Sequence, residues 1–155
     1  MSRISDIAGL VDRGDVYYNI KGSTPAEALT SLIKVVRTPK AMDKKVLREA
    51  LIERESIATT AVGMGFAIPH PRRHLASGEK DAMIVVAYLD TPMDWHAMDG
   101  KPVSTLFLVL SAEVQAHLSA LSAIACLAGK EDFRKMMAKQ PSKKELLEYL
   151  DGIGC

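Results

Sequence analysis

Residues 63–74 read Gly-Met-Gly-Phe-Ala-Ile-Pro-His-Pro-Arg-Arg-His and hold two of the chain's four histidines. Imidazole titrates near pH 6.5, so at neutral pH His70 can serve as a nucleophile, a proton carrier or a metal ligand. Pro69 and Pro71 fix their own φ and push Ile68 and His70 toward extended backbone, so the ring is carried on stiff main chain. Gly63 and Gly65 permit positive φ and close approach by another group. An ordinary loop histidine at a bulged strand edge, a metal ligand and a nucleophile at a pocket mouth all remain compatible with this segment alone.

A metal reading draws on His70, His74, His96 and His117. Pro71 interrupts the i,i+4 helical pairing that two ligating histidines need, and no cysteine or carboxylate completes a recognisable pattern. Arg72 and Arg73 are two charges without a basic face or interleaved aromatics, which is too little for nucleic acid. Arg54, taken by itself, is a helix-end cation able to pair with Glu53 or Glu55. His117 by itself is a histidine near a helix start. His96 and His74 gain no role, beyond a flanking one for His74. Trp95 reads as a loop anchor, and the methionines as fillers of core gaps.

The elements that position these residues follow from periodicity. Thr24-Pro25-Ala26-Glu27 opens a helix whose apolar face is Ala28, Leu29, Leu32, Ile33, Val35 and Val36, with Thr38-Pro39 as its stop. A second helix starts near Asp43 and is expected to bury Val46, Leu47, Ala50 and Leu51. Val16–Ile20 is a short strand before both. Residues 82–89 and 103–110 are near-continuous apolar runs suited to central strands covered on both faces. The link 90–102 carries Thr91-Pro92 and Asp99-Gly100 and is expected to be a loop. A helix then places Leu118, Leu121, Ile124, Ala125 and Ala128 on one face and stops at Gly129, a short helix spans 131–139, and Ser142-Lys143-Lys144-Glu145 caps a last one.

These readings predict one α/β (α+β) domain over residues 1–155, a compact mixed sheet with helices on both faces. The balance of 20 Lys+Arg against 19 Asp+Glu gives a net charge of +1 and no electrostatic footprint for nucleic acid or membrane. Two cysteines, Cys126 in an apolar helical pattern and Cys155 at the end, form no redox pair or thiolate cage, and no disulfide framework is needed. The N-terminus is unlike a signal peptide and no apolar run reaches the roughly 20 residues that span a bilayer. The expected location is cytoplasmic, without membrane insertion.

Gly63-x-Gly65 with Ala67-Ile68-Pro69-His70, and an arginine upstream in Arg54-Glu55, resembles the active-site signature of the fructose, mannitol and nitrogen-type Enzyme IIA proteins of the bacterial phosphoenolpyruvate phosphotransferase system. Thr91-Pro92-Met93-Asp94-Trp95, Asp99-Gly100-Lys101-Pro102-Val103 and the apolar strand after them resemble the family's second block, and His117-Leu118-x-x-Leu121 its third. The chain departs from the pattern at Pro71 and Ala61, where glycines are usual, and at Ser111-Ala112-Glu113, where a proline is common.

The resemblance implies that His70 accepts a phosphoryl group through Nε2 from a small HPr-type carrier, with Nδ1–H held by a backbone carbonyl. Arg54 would face the phosphoryl oxygens and His117 would donate a further hydrogen bond. It implies no cofactor and no metal. Partners would be the carrier and either a sugar-specific Enzyme IIB or regulatory target proteins. The absence of attached IIB or membrane domains favours the nitrogen-type regulatory branch; a sugar-specific component and a non-catalytic scaffold are the alternatives. Phe66, Ile68, Pro69 and Trp95 are expected to form an apolar docking patch around His70.

Overall fold

The computed structural model describes residues 4–73, 75, 76 and 78–153. His74 and Cys155 therefore lie outside the described residues. The chain forms α1 (Ile4–Gly14), β1 (Val16–Ile20), α2 (Pro25–Val35), α3 (Lys44–Ile57), β2 (Ala61–Gly63), β3 (Phe66–Ala67), β4 (Met83–Met93), β5 (Val103–Leu110), α4 (Val114–Ala128), α5 (Glu131–Ala138) and α6 (Lys143–Asp151). A single 3-10 turn, Glu79–Asp81, precedes β4.

The five strands make one mixed sheet in the order β1-β4-β5-β3-β2. β4 and β5 form its antiparallel centre, with Met83 opposite Leu110 and Tyr88 opposite Thr105. β1 runs parallel to β4, β3 runs parallel to β5, and β2 closes the far edge antiparallel to β3. Side chains alternate between faces of a strand, and here both faces are covered. Val85, Ala87 and Leu89 join the core under α2 and α3. Ile84, Val86 and Tyr88 join a second core with α1, α4, α5 and α6. The near-continuous apolar runs are therefore central strands of a mixed sheet flanked by helices on both faces, as their composition predicts.

The caps form as the sequence indicates. Thr24 accepts the Glu27 N–H ahead of Pro25 at the start of α2, Asp43 accepts from Lys45 and Val46 at the start of α3, and Ser142 with Glu145 makes a full capping box on α6.

Several expectations are corrected. α1 is absent from the sequence reading; its described side chains Ile7 and Val11 are buried, with Ala8 and Leu10 packed against the same core. β4 continues to Met93 through Thr91-Pro92, so the loop begins at Asp94 rather than Asp90. A proline fits there because β1 pairs with β4 only as far as Leu89 and the β4–β5 register shifts between Tyr88 and Met93. Val35 and Val46 are exposed and Ala50 is only half-buried. On α4 the buried face is Ala120, Ala123, Ile124, Leu127 and Ala128, while Leu118 and Ala125 face solvent. The alanines let α4 lie close to the sheet, and Leu118 is turned to the rim. Cys126 on α4 is exposed.

Candidate functional site

His70 follows directly from the β2–β3 hairpin. Three successive residues at its tip, Gly63, Met64 and Gly65, have φ of 90°, 59° and 88°. Glycine tolerates that region and methionine does so only under constraint. The constraint is Asp99 in the β4–β5 loop, whose carboxylate accepts the Met64 N–H at 2.9 Å and the Lys101 N–H at 3.0 Å. Those two bonds hold the Asp99 carboxyl below its ordinary range.

Past β3 the backbone is tied on both sides. The Ile68 N–H donates to the Thr60 carbonyl at 2.9 Å and the Val109 N–H donates to the Pro69 carbonyl at 2.9 Å. Because β3 and β5 are parallel, His70 emerges at the same end of the sheet from which Ser111 leads into α4. His117, in the first turns of α4, thereby meets His70, with ring centroids 4.8 Å apart and planes at 61°.

The His70 ring has a defined polarity. Its Nδ1 lies 2.8 Å from the Ile68 carbonyl oxygen, and a carbonyl can only accept, so Nδ1 carries the proton and Nε2 the free lone pair. Burial lowers the His70 pKa from its ordinary value and the Arg54 cation lowers it further, against the Ile68 hydrogen bond and the Glu55 carboxylate, which raise it. The balance keeps the ring neutral at pH 7. His117 Nδ1 lies 3.4 Å from Ser111 Oγ, which gives this second imidazole a hydroxyl partner.

Arg54 sits in the last turn of α3, half-buried, with Nη1 donating to the Ala58 carbonyl at 2.7 Å. It does not pair with Glu55. That carboxylate instead accepts the Thr60 N–H at 2.7 Å and the Thr60 hydroxyl at 2.6 Å. Thr60 Oγ1 in turn accepts the Trp95 indole N–H at 3.3 Å, while the Thr59 hydroxyl donates to the Trp95 carbonyl. The anchor reading of Trp95 holds: it is fully buried.

The structure thus brings His70 and His117 into ring contact and sets the Arg54 charge within electrostatic reach. His96 stands apart, exposed and 3.8 Å from Asp94, and Arg72 faces Glu53 at 3.7 Å on the surface. Among the described residues no group of three or more His, Cys, Asp or Glu side chains is arranged to hold a metal. Glu55, Thr60 and Ser111 escaped the sequence reading; a helix-terminal acid followed five residues later by threonine was the available signal for the first two.

The expected docking patch is wrong in its residues. Phe66, Ile68, Pro69 and Trp95 are buried, the first two packing into the core with Phe107 and Phe133. Exposed apolar side chains on the elements that carry the site include Ile57 on α3, Val62 on β2, and Val114 and Leu118 on α4, and α4 lies against β2. A cavity of about 450 Å³ lies behind Glu55, lined by Ile52, Thr59, Trp95 and His96 among others and by neither of the paired histidines.

Residues 10–152 match the model of the family described as phosphoenolpyruvate-dependent sugar phosphotransferase system, EIIA 2. A nitrogen regulatory protein of Bradyrhizobium diazoefficiens is 37% identical over 76% of each chain. One of Pseudomonas aeruginosa is 32% identical over 85% of this chain and 86% of its own. The crystal structure of nitrogen regulatory protein IIA-Ntr from Neisseria meningitidis superposes with a TM-score of 0.71 at 24% identity, covering 95% of this chain and 98% of that one, which shows a shared fold.

Proposed function

Because the chain belongs to the type-2 Enzyme IIA family of the phosphoenolpyruvate-dependent phosphotransferase system, we propose that His70 is its phosphoryl acceptor, with Arg54 and His117 as the groups that stabilise the transferred phosphoryl. Proteins of this family are phosphotransferase components that carry a phosphohistidine, and they work with HPr-type donors and IIB acceptors. The observation that carries the residue assignment is the Nδ1–H to Ile68 carbonyl bond, which presents Nε2 as the nucleophile beside a second imidazole and a cation.

The chemistry follows from that geometry. The Nε2 lone pair attacks the phosphorus of a donor phosphohistidine; the P–N bond to the donor breaks, and its electron pair stays on the donor nitrogen. Little covalent work falls to the protein, and the demand is for alignment and for charge stabilisation on the equatorial oxygens. Arg54 supplies a planar cation for two of those oxygens. His117 supplies a ring N–H; a Ser111 hydroxyl donating to its Nδ1 would leave Nε2–H for this purpose.

The role is that of a nitrogen-type regulatory protein, whose phosphorylation state selects its partners. The similarity to nitrogen regulatory proteins along most of the chain supports this. Phosphorylation puts nearly two negative charges at His70, against the start of α4 where Val114 and Leu118 flank His117 and are exposed, and a partner that buries those side chains must then desolvate a dianion. The family's description as a sugar phosphotransferase component supports a second reading, transfer onward to an Enzyme IIB. ³¹P–¹H NMR of the protein after incubation with phosphoenolpyruvate, Enzyme I and HPr tests the chemistry: the phosphorus must couple to the ring protons in the Nε2 pattern of His70. Discharge of that phosphoryl group by an added IIB would favour the second role, and its retention the first.

A further inference from the structure

We propose that Glu55 is a positioning residue for His70, acting through Thr60 and Ile68 to hold the imidazole in the tautomer whose Nε2 is free. This rests on the reading of His70 as the acceptor and adds a residue that neither touches the ring nor faces the incoming phosphoryl. Four hydrogen bonds make the chain of support. Glu55 accepts the Thr60 N–H at 2.7 Å and the Thr60 hydroxyl at 2.6 Å. The Thr60 carbonyl accepts the Ile68 N–H at 2.9 Å. The Ile68 carbonyl accepts His70 Nδ1–H at 2.8 Å.

The arrangement has a mechanical logic. Thr60 precedes β2 and Ile68 follows β3, so their pairing extends a hairpin of only three and two residues. So short a ladder fixes its ends weakly, and the bidentate grip of Glu55 supplies the missing restraint from the end of α3. The Thr60 N–H and C=O belong to different peptide groups, so the coupling is one of position and not of electron flow along a single amide. Glu55 also acts directly through its charge, which raises the affinity of His70 for a proton while Arg54 lowers it. With His117 on the remaining side, these are, among the described residues, the charged and titratable groups that bear on the ring. A loose Ile68 carbonyl would release Nδ1, and a ring protonated on Nε2 has no lone pair there to offer phosphorus.

Two substitutions separate position from charge. Glu55→Gln keeps the shape, removes the charge and leaves one acceptor for two donors. Glu55→Asp keeps the charge and shortens the reach, so that it cannot hold both Thr60 groups. In the unphosphorylated protein, ¹⁵N shifts of the His70 ring report the tautomer and their pH dependence the titration midpoint.

The parent should show Nδ1–H alone. Glu55→Gln should show mixed tautomers and a midpoint lowered by loss of both the charge and the Ile68 hydrogen bond, whereas Glu55→Asp should show mixed tautomers with a smaller lowering, because its charge remains. Phosphoryl transfer from HPr should slow about tenfold or more in kcat for both, with KM little changed, because alignment and not docking is lost. A parent tautomer and rate in a folded Glu55→Gln or Glu55→Asp protein would overturn the proposal. Should HPr fail to phosphorylate the parent itself, the assignment of His70 as acceptor would fall, while the ring shifts would still decide the role of Glu55.

Discussion

Replacing Thr60 with valine should cost about 2–4 kcal/mol, although the two side chains have the same shape. Thr60 is 5% exposed. Its hydroxyl donates to Glu55 at 2.6 Å and accepts the indole N–H of the fully buried Trp95 at 3.3 Å. Losing a hydrogen bond to a charged acceptor costs about 1.5–3 kcal/mol, and stranding a buried donor about 1–3. The 3.3 Å length puts the indole contribution at the low end, and the extra buried methyl returns about 0.8 kcal/mol. At 2–4 °C per kcal/mol for a domain of this size, the melting temperature should fall by about 5–15 °C. Urea unfolding followed by circular dichroism measures the loss, and the fluorescence of Trp95, the chain's one tryptophan, reports the local environment. Thr60→Ser, which keeps the hydroxyl, should stay within about 1 kcal/mol of the parent. Equal stability of the serine and valine proteins would refute the argument that the hydroxyl is what matters here.

Three further outcomes are expected. Arg54→Lys should lower the phosphorylation rate by about 10–100-fold with the fold intact, because an ammonium cannot span two oxygens as the guanidinium fork does; a parent rate in a stopped-flow transfer assay would reduce Arg54 to a helix-end charge. Gly63→Ala should destabilise by about 1–2 kcal/mol in denaturant titration, since φ there is 90° and the new Cβ would lie 3.1 Å from Asp99 Oδ2. The lowered pKa of His70 means that the unfolded chain binds the proton more readily below its own value of about 6.5. Stability should therefore fall as pH drops through the interval between the unfolded and folded values, and His70→Asn should flatten that part of the urea midpoint profile.

β1, β4, β5 and most helices were legible because the apolar runs at 82–89 and 103–110 have strand length and because Thr24, Asp43 and Ser142 mark helix starts, whereas β2 and β3, three and two residues long, are too short to show a period. α1 was not found, although Ile7, Ala8, Leu10 and Val11 recur at helical spacing on its core-facing side. The orientation of α4 was misread because the buried alanines carry less hydropathy than Leu118, which is turned to solvent. At the site, the stiffness of His70 could be read directly from its prolines. The partners of Glu55 and Ser111 could not, because hydrogen bonds from a helix end to a strand, or from a loop serine to the next helix, leave no periodic trace. Phe66 and Ile68 looked available for docking because a strand as short as β3 leaves no alternation to show that it and the residue after it are buried.

The central claim is that His70, and no other residue, receives the phosphoryl group. Incubating the parent, His70→Ala and His117→Ala proteins with phosphoenolpyruvate, Enzyme I and HPr, and then measuring intact mass, tests it most directly. The parent should gain one phosphoryl group that is lost in acid and kept in alkali, His117→Ala should gain the same group more slowly, and folded His70→Ala should gain none. Stoichiometric, acid-labile phosphorylation of the His70→Ala protein would contradict the account.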